Sequence, residues 1–494
     1  MSFDRLDALC HRLDALDHAQ AMLGVDEAVM MPEGSGSARA AAMAEIAALH
    51  HDMSTAPEVA EWLATAEATE SDPLRRAALR EFRRVHTNLT CLSSAFVARQ
   101  VKARMAAEQL WRTLRPRNDW AGFLPAFRTV VELAREEAAR RAEVLKLAPY
   151  DALMEQFDPG NRMAEVTPVF RTLKTFLTDF IPRAMAAQAR RRTKALPRGP
   201  YPVARQKALG EAVMAALGFD FSHGRLDQSH HPFCGGVPDD VRMTTRYRSS
   251  EFISSLMGIV HETGHGLYEQ GLPRDWRHWP AGKARGMALH ESQSLFSEMQ
   301  LARRGAFWKF ALPLARKHLG AAKLKGVTTA VILGAVQRVQ PGLIRVDADE
   351  ATYPLHIMLR YELEQALIAG TLKPEDVPEA WDAQMKAALG LDTRGNFRDG
   401  PMQDVHWPSG AFGYFPSYTL GALAAAQQFA ALKRDLPEVE AFIARGDFSA
   451  LNDWRRRNVW EKASFLSTQE IMRQATGAPL SPAAFMAHLE ERYL

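Results

Sequence analysis

From Phe3 to about residue 194, apolar residues recur at three- and four-residue intervals, and this period is what most restricts the fold. Phe3, Leu6, Cys10 and Leu13 open it, with Asp and Arg between them, as on one face of an amphipathic helix. The pattern breaks at MPEGSGSA (31 to 38), where Pro32, Gly34 and Gly36 predict a turn. It resumes in Ala/Leu/Arg/Glu-rich segments, punctuated by Asp72-Pro73, Asn118-Asp119 and FDPG (157 to 160). The reading is a succession of helices with short connections. The stretch from 218 to 248 departs from it and offers two strand candidates, FDFSHGRLD and VRMTTRY, around a loop. Helical pattern returns at 250 and holds to the end, with no repeat and no low-complexity linker. The expectation is a mainly α protein, one large helical body over 1–494 with a small β element.

Bulk properties exclude some function classes. A net charge of +3 is too small to imply a nucleic-acid partner. The basic run Arg190, Arg191, Arg192, Lys194 runs into Pro197, Gly199 and Pro200, and reads as a solvated helix end. Cys10, Cys91 and Cys234 show no C-x-x-C spacing and make no disulfide framework, which fits a reducing compartment. The N-terminal MSFDRLDALCHRLDALDHA is interrupted by acids throughout and lacks the apolar centre of a signal peptide. Apolar runs such as TTAVILGAV (328 to 336) fall far short of a membrane span. A cytoplasmic protein without membrane partners is expected.

The chemistry concentrates in SSLMGIVHETGHGLYEQG (254 to 271). On a helix, His261 and His265 project to one side, one turn apart, so both imidazoles can reach one metal ion. Glu262 lies about 100° round from His261, beside the ion and not on it, where it can take a proton from water. A chance H-E-x-x-H is expected in roughly 3 of 100 chains with this many histidines, so the flanks matter. Leu256, Met257, Ile259 and Val260 predict a buried helix, where unpaired imidazoles are costly. Gly264 and Gly266 weaken the helix and leave room for another backbone or a ligand. A catalytic zinc takes three protein ligands, and HESQSLFSEM (290 to 299) is the best source of the third. Glu291, on a second helix, is the first choice and Glu298 the competitor. The metzincin extension is absent, because GLYEQG follows His265.

Six ordered motifs then carry a resemblance: HPF (231 to 233), DVRMT (240 to 244), HETGH (261 to 265), HESQ (290 to 293), IRVDAD (344 to 349) and GPMQDVHW (400 to 407). YDALMEQFDPG (150 to 160) and GYFPSYTLG (413 to 421) match as well. In these the chain resembles the thermostable metallocarboxypeptidases of the carboxypeptidase Taq family, across its whole length. The resemblance implies a mostly helical fold with a deep groove, a small β-sheet near the metal helix, and commonly a homodimer. It implies removal of single C-terminal residues from peptide substrates with broad specificity, proline disfavoured.

On that footing the metal ligands are His261, His265 and Glu291, for zinc or, at the same N/O donors, cobalt or manganese. Glu262 is the general base. The family motif nominates Arg345 to meet the substrate carboxylate, the alternative being an ion pair with Asp347 or Asp349. Asp349 and Glu350 are expected to support the site, and Asp240 and Arg242 to be scaffold. His406, Tyr414 and Tyr418 form a set of oxyanion donors, by spacing similar to that of dipeptidase-type gluzincins. His231 is expected to touch the substrate backbone or to be structural. Residues 1–70 are expected to form a helical lid, and 220–430 the catalytic core. Rival readings are a gluzincin endopeptidase or dipeptidyl-carboxypeptidase with the same machinery, and an inactive helical scaffold.

Overall fold

A computed structural model describes residues 2–191 and 194–494. Arg192 of the basic run therefore lies outside the described residues. No described helix is long and apolar enough to cross a membrane.

The first layer comprises α1 (Ser2–Val29), α2 (Gly36–Thr55), α3 (Pro57–Thr69) and α4 (Pro73–Thr90). Each breaker acts as its chemistry requires. Asp72 accepts from the Arg75 amide and Pro73 takes the first helical position, so α4 starts there. These helices share a small apolar core of their own, built on Phe3, Leu6, Leu63, Leu79 and Phe82 and closed by Ala281 from the body. The cluster runs past residue 70 into α4.

The body continues with α5 (Ser94–Leu114), α6 (Trp120–Leu145), α7 (Pro149–Met154), α8 (Met163–Ala189) and α9 (Val203–Leu217). Asp119 caps α6, and Gly218, at a φ of 97°, ends α9. Three strands follow: β1 (Gly224–Gln228), β2 (Phe233–Val237) and β3 (Asp240–Thr245), in the order β1-β3-β2. β3 pairs parallel with β1 and antiparallel with β2. VRMTTRY gives β3 as expected. FDFSHGRLD is a strand only in its second half, because the Asp220 side chain accepts from Ser222 and turns the chain into a 3-10 helix first. β2 lies in the presumed loop. Its two glycines carry no strand signal, and only the pairing with β3 makes it a strand.

The second half holds α10 (Ile253–Gln270), α11 (Met287–Leu295), α12 (Gly305–Leu319), α13 (Thr329–Val336), α14 (Tyr353–Ala369), α15 (Val377–Leu389) and α16 (Pro416–Asp435). It ends with α17 (Val439–Arg445), α18 (Ser449–Asn458), α19 (Thr468–Thr476) and α20 (Ala483–Tyr493). α11 runs straight into a π-helical turn, Phe296–Ala302, a feature often found at functional sites. α10, α14 and α16 are buried on nearly all sides, so their polar residues face protein. One large apolar core runs through this body, from Trp120 on α6 to Tyr493 on α20.

Candidate active site

α10 and α11 meet backbone to backbone. A Cβ on Gly264 would lie 2.2 Å from the Gln293 carbonyl oxygen, so only glycine permits the approach. α16 closes in from the other side, where a Cβ on Gly421 would come within 2.9 Å of the Glu291 side chain. This packing drives Glu291 against the two histidines. His265 Nε2 is 3.4 Å and His261 Nε2 3.9 Å from the Glu291 carboxylate oxygens. One donor atom from each residue falls within 4.8 Å of the other two. Two imidazoles and a carboxylate fit a first-row divalent ion.

The outer nitrogens of both imidazoles are held. His261 Nδ1 is 3.0 Å from Glu298 Oε2, and the other Glu298 oxygen accepts from Arg303 at 2.7 Å. Glu298, the competitor for the ligand role, thus stands behind the ring and not in front of it. His265 Nδ1 is 2.7 Å from His290 Nδ1, and His290 Nε2 is 2.7 Å from Glu269 Oε1. Sequence reasoning missed His290 and Glu269 as supports, although His290 directly precedes Glu291. Such acceptors orient ligand rings and raise their basicity. Glu262 is 6% exposed, and burial pushes its carboxyl up to about 7, against the pull of His261.

Opposite stands a second wall. Arg345 does not pair with Asp347 or Asp349. Its Nε and Nη2 both reach Asp404, at 2.9 and 2.8 Å, and Arg360 donates to the other Asp404 oxygen at 2.7 Å. Two guanidiniums on one carboxylate leave an excess positive charge. Arg345 lies 4.8 Å over the Tyr418 ring. Tyr418 is hydrogen-bonded to His406 Nε2 at 3.1 Å and to Tyr414. Burial holds His406 down at about 3, so it is a neutral imidazole, and its Nδ1 is a buried atom without a partner. Burial also raises the Tyr353 and Tyr418 phenols, the latter to about 12, and the charges of both Glu291 and Arg345 act on each. Tyr353 meets the Tyr418 ring edge-on, with centroids 6.3 Å apart. Tyr353 was not singled out from the sequence.

The remaining residues sort as support. Asp349 accepts from the amides of Gln340, Ala351 and Thr352. Glu350 accepts from Arg492 and Tyr493 at 2.7 and 2.9 Å, tying α20 to this loop. Asp240 and Arg242 pair with each other on β3 at 2.6 Å. Asp158 of FDPG caps the α11 amide at Ala288 and also accepts from Ser417, which joins the two walls from below. His231 sits exposed, and its carbonyl is held by the Ser229 and Thr244 hydroxyls. It is not brought to the metal cluster, although Pro232 beside it lies over α10 at Gly258.

The two histidines of H-E-x-x-H and a following glutamate, gathered among buried helices, define a metal-dependent peptide hydrolase of the gluzincin type. Residues 5–493 match the model of the carboxypeptidase Taq (M32) metallopeptidases, and the chain belongs to that family. It is 40% identical to thermostable carboxypeptidase 1 of Thermus thermophilus, over 96% of this chain and 94% of that protein. Among solved structures it superposes on metallocarboxypeptidase 1 of Trypanosoma cruzi with a TM-score of 0.97 at 41% identity, covering 100% of this chain and 99% of that one. An M32 carboxypeptidase of Deinococcus radiodurans gives a TM-score of 0.94 at 32% identity, covering 100% of this chain and 98% of that one.

Proposed function

We propose that this metallocarboxypeptidase releases single residues from the C-terminus of peptides with broad specificity, proline disfavoured, and uses zinc held by His261, His265 and Glu291. The observation that supports exopeptidase action most is Arg345. It is buried, oriented by Asp404 and set over the Tyr418 ring, and the charge of Glu291 acts on that same phenol, which supports a seat for the substrate carboxylate near the metal cluster.

The ion supplies Lewis acidity to water and to the scissile carbonyl. The protein does the rest. His265 offers Nε2 to the ion, so its Nδ1 carries hydrogen and donates to His290 Nδ1. His290 then donates through Nε2 to Glu269, and the chain of bonds holds one tautomer throughout. Glu262 takes the proton of the attacking water and returns it to the leaving amine. A buried carboxyl near 7 suits both directions of transfer. Arg345 binds the terminal carboxylate bidentately. Tyr414 is the first choice and Tyr418 the second as donor to the developing oxyanion, with His406 behind them. His406 Nδ1 is buried and without a partner, in keeping with a place behind the two phenols. His231 contributes at most to the approach of the peptide backbone. The N-terminal helices act as a lid over the groove, the enzyme works as a homodimer, and it resides in the cytoplasm.

Hydrolysis of one peptide with a free C-terminus and of its amidated twin tests the reading. Release of single residues from the free peptide alone is expected. Cleavage of both would make the protein an endopeptidase and remove the role given to Arg345. Release of dipeptides would make it a dipeptidyl-carboxypeptidase. Cleavage of neither by metal-loaded protein would leave a scaffold.

A further inference from the structure

A second group of metal-ligating side chains lies away from the active site. α1 turns Asp4, Asp7, His11 and Asp14 to one face, by their spacing of three and four residues. That face meets the segment that leads from α10 to α11. His278 Nε2 is 2.9 Å from Asp7 Oδ1, and Trp279 Nε1 donates to the same oxygen at 2.5 Å. His11 stacks on His278, ring centroids 3.8 Å apart and planes 12° off parallel. One donor atom of each of Asp7, His11 and His278 falls within 4.8 Å of the others.

We propose that Asp7, His11 and His278 form a second site for a divalent first-row ion of the zinc class, which staples α1 to the body. The donor types decide the class, since imidazole with carboxylate suits zinc, cobalt or nickel and not the all-oxygen preference of calcium or magnesium. Two elements far apart in sequence supply the ligands, so binding links the first layer to the segment entering α11. Trp279 holds Asp7 in place from behind, as an outer donor does in a built site. His278 is nearly buried and fixed, with its side chain 12% exposed. His11 is 62% exposed at its side chain, with the nearer Asp7 oxygen 3.9 Å away. It therefore has no hydrogen bond to Asp7 to give up. Parallel rings cannot share an ion in both planes, so the exposed His11 ring turns out of the stack to complete the site. The site is independent of the peptidase reading.

The test uses the full chain with its active site already loaded with one zinc, dialysed against rising free Zn2+ and assayed for bound metal. Wild type is expected to take up about one further equivalent, with a rise in melting temperature that grows with free zinc. His11→Ala and Asp7→Asn are expected to stop at the first ion and show no such rise. Amide exchange along α1 should slow on zinc excess in wild type and not in His11→Ala. Saturation of wild type at one ion overturns the proposal, and so does a second ion retained by both variants, which would place it elsewhere. Zinc uptake without slower exchange overturns the stapling.

Discussion

The layer up to Thr90 and the body behind it bury different things. The layer buries an apolar cluster, Phe3, Leu6, Leu63, Leu79 and Phe82, and leaves most of its charges in water. The body buries Glu262, Glu291, Arg345, Glu350, Arg360 and Glu364, each under a tenth exposed. Buried charge is costly unless paired, and each pairing demands one geometry. Apolar contact is non-directional and tolerates sliding. The body is thus a frame whose buried polar groups have set places. The layer's own core rests mainly on such apolar contact. The layer meets the body in a few directed polar bonds at buried or half-buried positions, among them Glu81 with Arg285, Asp7 with His278 and Trp279, Asn88 with Arg141 and Asp14 with Lys283.

This contrast is open to test, from the largest expected effect on hydrolysis to the smallest. Glu262→Gln removes the proton acceptor and should lower kcat by about 10³-fold or more while metal content, measured on the purified protein, stays at wild-type level. Loss of the metal instead would make Glu262 a structural residue. Arg345→Ala should raise KM for free C-termini by about 10²-fold, since a buried charged hydrogen bond is lost, and leave any trace cleavage of amidated peptides unaltered. Equal loss on both substrates would break the link between this wall and the carboxylate.

His290→Gln interrupts the bond chain behind His265 and should weaken zinc about 10- to 100-fold in chelator competition. Unchanged affinity would mean that the ring needs no such support. Glu350 sharpens the contrast through pH. Burial opposes its charge, but Arg492 and His488 win and hold its carboxyl below the usual value of 4.5. The folded state therefore gains stability from it above 4.5, lost as the pH falls below that value. Glu350→Gln should flatten the fall of urea midpoint on acidification below pH 5, and an unchanged slope would assign acid unfolding to other groups. Leu63→Ala, in the layer, should cost about 2–5 kcal/mol within its own cluster. It should leave zinc affinity and turnover of a short peptide within about twofold. A large loss of metal would show that the two regions are one mechanical unit.

Features that depend on residues a turn or less apart were legible beforehand. The helices, the breaker at Asp72-Pro73 and the pairing of His261 with His265 all follow from spacing along one helix. Gly264 was read as a place for close approach, and the Gln293 carbonyl is what approaches. Features that depend on distant segments were not. Glu298 and Glu291 are equally good acids seven residues apart, and only the position of α11 across α10 puts one in front of the His261 ring and one behind it. The partner of Arg345 comes from 59 residues away, not from its own motif. β2 owes its existence to β3, since a double glycine has no strand preference of its own.

By itself, then, the sequence determined a mainly helical chain, a helix bearing two histidines and a glutamate on adjoining faces, and the family to which those motifs belong. Helix periodicity and side-chain direction are local properties of the backbone, fixed by 3.6 residues per turn. The tertiary structure decided which acid faces both histidines and which stands behind one of them, what holds Arg345, where His231 stands, and that α1 touches the segment entering α11. Those outcomes rest on contacts between residues tens to hundreds of positions apart, and no local rule encodes which of several chemically equal groups the packing will bring together.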